Sequence, residues 1–163
     1  MKPVVFLDID GVLCIKGCAP GTFDRSCVHA LNWLTDTTRA SIVVSSTWRR
    51  MKNPTIDDKL REQGVCAKVI GVTPDLSRAK VIRPMSQYAE AAGGVIFTGA
   101  TRGQEIKAWL DAHAQRPFVI LDDDTDMGEL GDWLVPSTFE KGLTPALARL
   151  AAAKIVTRRL FEP

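Results

Sequence analysis

Two aspartates stand one residue apart where the first apolar run of this chain ends: VVFLDIDGVL, residues 4–13, with Asp8, Asp10 and then Gly11. Taken alone, Asp-x-Asp after a strand is a turn with capping carboxylates. A second acidic run, LDDDTD at 121–126, also follows an apolar stretch and offers Asp122, Asp123 and Asp126. A third segment, SSTWR at 45–49, follows another such stretch and offers the hydroxyls of Ser45 and Ser46. Carboxylates gathered in one crevice repel one another, and a divalent cation is the usual remedy. An all-oxygen donor set favours Mg²⁺. A cation held there attracts phosphate in turn.

Segments this far apart meet if each ends a strand on one edge of a sheet. Val4 to Leu7 is a continuous apolar run, the mark of a strand buried on both faces. FDRSCVHALNWLTDTT reads as a helix, with Asp24 as N-cap and Val28, Leu31 and Leu34 on one face. SIVVSS is a second strand. TIDDKLREQG is a short helix, with Thr55 and Asp58 at capping-box spacing and Gly64 as its stop. VCAKVIGV is a third strand. RAKVIRPMSQYAEAAGG reads as helical after Pro84, and GVIFTG as another strand. TRGQEIKAWLDAHA carries Ile106, Trp109 and Leu110 on one helical stripe. FVILD and DWLVPS are strands. LTPALARLAAAKI is a last helix, with Thr144 at N-cap and Pro145 at its first position. Alternating strands and helices predict an α/β chain: a Rossmann-like three-layer α/β/α sandwich on a mostly parallel central sheet. In such sheets ligands bind beyond the carboxyl ends of the strands, where all three segments fall.

The 163 residues suit one domain spanning 1–163, with an insert or small lid around 78–101. Hydrophobic residues make up 45% and charged residues 25%, an ordinary globular balance. A net charge of +2 does not by itself point to nucleic acid. No apolar run approaches the roughly 20 residues that span a bilayer. The opening MKPVVFLDID meets aspartate too early for a signal peptide, so a cytoplasmic location is expected. The four cysteines are then expected as reduced thiols. Cys14, Cys18 and Cys27 with His29 form C-x3-C-x8-C-x-H, which lacks the paired short knuckles of common zinc modules.

The three segments resemble the motifs of the haloacid dehalogenase superfamily of phosphohydrolases. Its first motif, D-x-D-G-x, stands here as DIDGV. The second, a hydrophobic strand ending in Ser or Thr, stands as IVVSS. The fourth, an acidic pair after a strand, stands as VILDDD. The detail VVSSTWR, VIGVTP, RGQEIKAWL, FVILDDDTDM and KGLT looks closer still to one branch: the small domain of bacterial and phage proteins that include the Swiss-army-knife RNA-repair proteins. DLSRAKVIRPMSQYAEAAGGVIFTGA departs from that branch by intervening between GVTP and RGQEI.

The resemblance implies a Mg²⁺-dependent phosphatase. Asp8 would be the nucleophile that forms an aspartyl-phosphate, and Asp10 the general acid, then base, swung into place by the turn at Gly11. Dehalogenases lack the second carboxylate, so Asp10 favours phosphatase or phosphotransferase chemistry. Asp8, the Asp10 backbone carbonyl, Asp122 and Asp123 would hold the metal, with Asp126 the alternative to Asp123. Ser46 is chosen for the phosphate-binding hydroxyl and Ser45 is the alternative, because a one-residue error at a strand end flips the face. Arg102 is chosen for the third-motif cation, with Lys107 and Lys80 as alternatives. Trp48 and Arg49 would stack on a base and pair with phosphate, though Trp48 suits a core equally well. Trp33, Trp109 and Trp133 are expected in the core.

The expected substrate is a phosphorylated small molecule, a nucleotide or a nucleic-acid end, with no membrane and no obligate protein partner. Little chain separates the first motif from the second strand, so the cap is minimal and the crevice open to a bulky substrate. The competing reading is a receiver-like regulatory or binding domain. Receivers also gather aspartates and a hydroxyl around Mg²⁺, but carry the phosphoacceptor on a middle strand rather than at the start of the chain.

Overall fold

The structure, a computed structural model, describes residues 2–76, 99–113 and 117–161, with side chains of the last helix described as far as Thr157. Lys80, the helix expected after Pro84 and nearly all of GVIFTG lie outside the described residues, as does most of the insert or lid expected at 78–101.

Five parallel strands form the described sheet: β1 (Val4–Leu7), β2 (Ser41–Val44), β3 (Val69–Val72), β4 (Phe118–Asp122) and β5 (Leu134–Pro136). Their spatial order is β3-β2-β1-β4-β5, which puts the first strand at the centre. Central placement explains why VVFL is apolar at every position. Val5 and Leu7 pack into one hydrophobic cluster, and Val4 and Phe6 into the other. The third strand is shorter than VCAKVIGV suggested. Val65 N–H donates to the Leu60 carbonyl and Cys66 N–H to Asn32 Oδ1, so 65–66 close a helix instead of joining the ladder.

Three helices, α1 (Arg25–Thr38), α2 (Ile56–Glu62) and α4 (Pro145–Phe161), bury their apolar faces in the cluster with Val5 and Leu7. In α4 that face is Ala148, Ala151, Ala152 and Ile155, spaced i, i+3, i+4, i+7 with small side chains that permit close approach. On the opposite face, α3 (Arg102–Asp111) packs Ile106 and Trp109 beside a 3₁₀ turn at Gly128–Trp133. The Trp109 ring meets Phe6 edge-on with centroids 5.4 Å apart, and Trp133 stacks on Phe118 at 5.3 Å. This is the three-layer Rossmann-like sandwich that the alternating pattern predicted. Trp33 departs from expectation: it is 46% exposed. It lies two residues from Leu31, about 200° around the helix from that buried position.

The expected caps are present. Asp24 Oδ1 accepts from Ser26 N and Cys27 N, and Thr55 and Asp58 form a reciprocal capping box. Thr144 Oγ1 accepts from Leu147 N. Among the described residues no helix is long and apolar enough to cross a membrane.

Candidate active site

Strand register assembles the site. Leu7 pairs with Val44 on one side and with Leu121 on the other. The ladder continues one step: Asp8 N–H donates to the Leu121 carbonyl and Ser45 N–H to the Leu7 carbonyl, each at 2.9 Å. Asp8, Ser45 and Asp122 therefore stand abreast at the strand ends. Side chains alternate along a strand, and Phe6, Val43 and Ile120 all point to the α3 face. Two residues on, Asp8, Ser45 and Asp122 take that same face.

Helix α3 then meets them end-on. Thr101 caps it, accepting from Gln104 N at 3.2 Å while Gln104 Oε1 accepts from Thr101 N. Arg102 is thereby the first helical residue. Its Nη1 donates to Asp8 Oδ1 at 3.1 Å and also to the Ser45 carbonyl, and its Nε lies 3.7 Å from Asp122 Oδ2. Gly103 allows this approach: a Cβ there would lie 2.3 Å from the Met127 carbonyl oxygen. Lys107 faces outward, paired with Asp111 at 3.2 Å and Glu129 at 3.6 Å. Of the third-motif candidates in the described residues, Arg102 is the one brought to the carboxylates.

Asp8, Asp122 and Asp123 each offer a carboxylate oxygen within 4.8 Å of the others. Asp122 is fully buried. Its Oδ1 accepts from Asp124 N, whereas Oδ2 has no hydrogen-bond partner. Burial, then the charge of Asp8, raises the Asp122 carboxyl to about 7, and Arg102 pulls the other way. Burial, with Asp8 next, likewise raises Asp123. A buried oxygen that accepts no hydrogen bond, among crowded carboxylates, is what a hard cation would relieve, so the donor set fits Mg²⁺. Asp126 is exposed and stands outside this group. Its N–H is bound to Asp124 Oδ1, and its carbonyl accepts from Gly103 N. Gly11 lies against Asp123 with φ +73°, and a Cβ at Gly11 would sit 2.2 Å from the Asp123 carboxyl. Glycine is needed here for conformation and for space.

Beyond Asp8 the chain turns sharply. Ile9 is fully buried and its carbonyl accepts from Leu13 N and Cys14 N, which leaves Asp10 exposed on the turn. Ser137, at the end of β5, braces the turn by donating from Oγ to the Gly11 carbonyl at 2.6 Å. Asp10 Oδ2 accepts from Trp48 Nε1 at 2.9 Å.

The two serines separate in role. Ser46 Oγ accepts from Trp48 N at 3.4 Å, capping the 3₁₀ turn Thr47–Arg50. Ser45 Oγ is buried without a hydrogen-bond partner, on the face of Asp8. Arg49, expected to meet phosphate, is turned into the protein, its side chain 5% exposed. It pairs with Glu105 at 2.6 Å, and its Nη1 donates to the Ser45 and Ser46 carbonyls. A guanidinium so engaged holds the loop after β2 rather than a ligand.

Glu105 is the residue that sequence reading passed over. It also accepts from Leu76 N at 3.0 Å, tying α3 to the chain beyond β3. Its signal was periodicity: Arg102, Glu105, Ile106 and Trp109 share one i, i+3, i+4, i+7 stripe, so an acid there is buried. Among the described residues the group placed to hold a metal ion is Asp8, Asp122 and Asp123, and it includes none of Cys14, Cys18, Cys27 and His29. All four cysteines are free thiols, and burial with Asp24 nearby pushes the buried Cys27 up to about 11.

A parallel sheet with its first strand central, an aspartate at that strand's end and an acidic pair at the next defines a domain of the haloacid dehalogenase (HAD) type. The chain belongs to one family of these: the model described as the HAD domain in Swiss Army Knife RNA repair proteins matches residues 4–148. No curated protein and no solved structure matches the chain.

Proposed function

We propose that this chain is a Mg²⁺-dependent phosphatase that works through an aspartyl-phosphate. The observation that carries the reading is the buried Asp8 carboxylate, grouped with Asp122 and Asp123 and faced by Arg102. In the proposed reaction a carboxylate oxygen of Asp8 attacks phosphorus while the ester oxygen leaves and takes a proton from Asp10. Asp10, now a carboxylate, accepts a proton from water as that water attacks the aspartyl-phosphate. Phosphate departs and Asp8 is restored. Arg102 neutralises the non-bridging oxygens, exchanging its contacts with Asp8 and Asp122 for the phosphoryl group. Ser45 Oγ is the hydroxyl free to donate to the same oxygens; Ser46 is committed to its turn. Mg²⁺ held by Asp8, Asp122, Asp123 and the Asp10 carbonyl would screen the charge that otherwise separates carboxylate from phosphate.

For the substrate we favour a nucleotide or a phosphorylated nucleic-acid end. The family description supports this, as does an open cavity of about 500 Å³ lined by Gly21, Thr47, Trp48, Met51, Pro54 and Lys59. Trp48 links that cavity to Asp10, so a bulky leaving group has room beside the proton donor. Only residues 8–24 separate β1 from α1, too few for a covering domain. The free thiols suit the reducing cytoplasm as the place of action.

The test is release of phosphate from an aryl phosphate, with Mg²⁺ and with chelator, by the parent and by Asp8→Asn. Turnover is expected to need metal and to vanish in the variant while the fold persists. Undiminished turnover in Asp8→Asn refutes the nucleophile. A long-lived phospho-Asp8 without turnover supports the regulatory alternative instead. Mononucleotides and 3′- or 5′-phosphorylated oligonucleotides then rank the leaving groups.

A further inference from the structure

The second aspartate of a D-x-D turn has a positional problem. Asp10 is exposed, on a turn. A proton donor must keep one oxygen aimed at the leaving group, and small misplacements are costly. Trp48 Nε1 meets Asp10 Oδ2 at 2.9 Å, across 38 positions of sequence. An indole nitrogen donates and never accepts, so the oxygen it contacts is held as an acceptor. When Asp10 is protonated, its proton is directed to Oδ1.

The indole is itself held. The buried ring of Phe23, whose backbone N–H donates to Gln63 Oε1, packs against it with centroids 5.7 Å apart. The backbone N–H of Trp48 donates to Ser46 Oγ, and the guanidinium of the neighbouring Arg49 is engaged by Glu105 and by the Ser45 carbonyl. A rigid donor on an exposed carboxylate is a positioning device.

We propose that the Trp48 indole N–H is the positioning residue for the general acid, holding Oδ2 of Asp10 so that Oδ1 delivers the proton to the leaving oxygen. This rests on the phosphatase reading above and adds a residue to it. An acid matters most for esters whose alkoxide leaves poorly, and little for nitrophenyl esters that depart unprotonated.

The experiment compares the parent chain with Trp48→Phe, which keeps a ring against Phe23 and removes the N–H. With Mg²⁺, kcat/KM for an alkyl phosphate is expected to fall about tenfold or more, and for 4-nitrophenyl phosphate less than about threefold. A merely structural role lowers both alike, and equal losses overturn the proposal. Independently of turnover, the indole N–H resonance of Trp48, assigned by its loss in Trp48→Phe, is expected to move upfield in Asp10→Ala. An unmoved resonance overturns the contact. A parent inert towards every ester refutes the phosphatase reading and this role with it, whereas active parent and equal losses refute the role alone.

Discussion

Arg102 reaches across 94 positions of sequence to place its Nη1 3.1 Å from Oδ1 of Asp8. Burial opposes the guanidinium charge, but Asp122 and then Asp8 more than offset this, and its pKa is raised. The cation is thus permanent at the point where phosphoryl charge would arrive. Replacing Arg102 by Ala is expected to lower kcat/KM about 10²–10³-fold, the scale for losing one preorganised donor. Lys107→Ala, which removes an exposed cation paired with Asp111 and Glu129, is expected to stay within about twofold. Steady-state kinetics on both variants, with circular dichroism as a fold check, decides between these two cations.

Asp122 makes stability depend on pH in a defined direction. Its carboxyl rises from an ordinary 3.8 to about 7 because burial, and next Asp8, disfavour the charge. A raised carboxyl favours the folded state while it is protonated. That contribution is complete below about 4 and is lost as pH climbs towards 7, about 4 kcal/mol in all. Asp122→Asn is therefore expected to raise the melting temperature of metal-free protein at pH 7.5 and to change it little at pH 4. Mg²⁺, which needs the ionised carboxylate, should raise the melting temperature of the parent more at pH 7.5 than at pH 5, and not that of the variant. A melting temperature of Asp122→Asn at or below that of the parent at pH 7.5 would count against a strained carboxylate.

The paired serines make opposite predictions. Ser45→Ala removes a buried hydroxyl that has no partner within the protein, so stability should hold while turnover falls at least tenfold. Ser46→Ala removes the cap of the 3₁₀ turn and should cost about 1 kcal/mol of stability, with a smaller effect on turnover. Chemical denaturation alongside kinetics separates them. The reverse outcome would return the phosphate-binding role to Ser46.

The Arg49–Glu105 pair has side chains 5% and 6% exposed. Removing one partner strands a buried charge, so Glu105→Ala is expected to cost about 3–5 kcal/mol. Because Glu105 joins the loop after β2 to α3 and to Leu76, turnover should fall as well. A surface-like loss under about 1 kcal/mol in urea denaturation would contradict the burial.

Much of this was legible in the residues. A strand buried on both faces reads as a continuous apolar run, and VVFL, the IVV of β2 and the FVIL of β4 announce themselves that way. Caps are local, so Asp24, Thr55 with Asp58, and Thr144 could be placed by spacing alone. The third strand was overextended because VCAKVIGV carries the composition of a strand throughout, while the bonds to Leu60 and Asn32 that claim 65–66 come from elsewhere in the chain. Trp33 lies near the apolar stripe of α1, which predicts a core position, but its angle on the helix turns it outward.

Sequence by itself determined which segments bear the chemistry: carboxylates and hydroxyls directly after apolar strands, in an order that predicts one crevice and a hard cation. Tertiary structure alone decided which side chain at each strand end enters it. Face alternates with every residue, so whether Ser45 or Ser46 shares the face of Asp8 turns on register fixed by pairing with β1. Asp123 joins Asp8 and Asp122 because Gly11 leaves space for it, and Arg49 is drawn inward by a glutamate 56 positions away. Such contacts depend on distances through space that spacing along the chain does not encode.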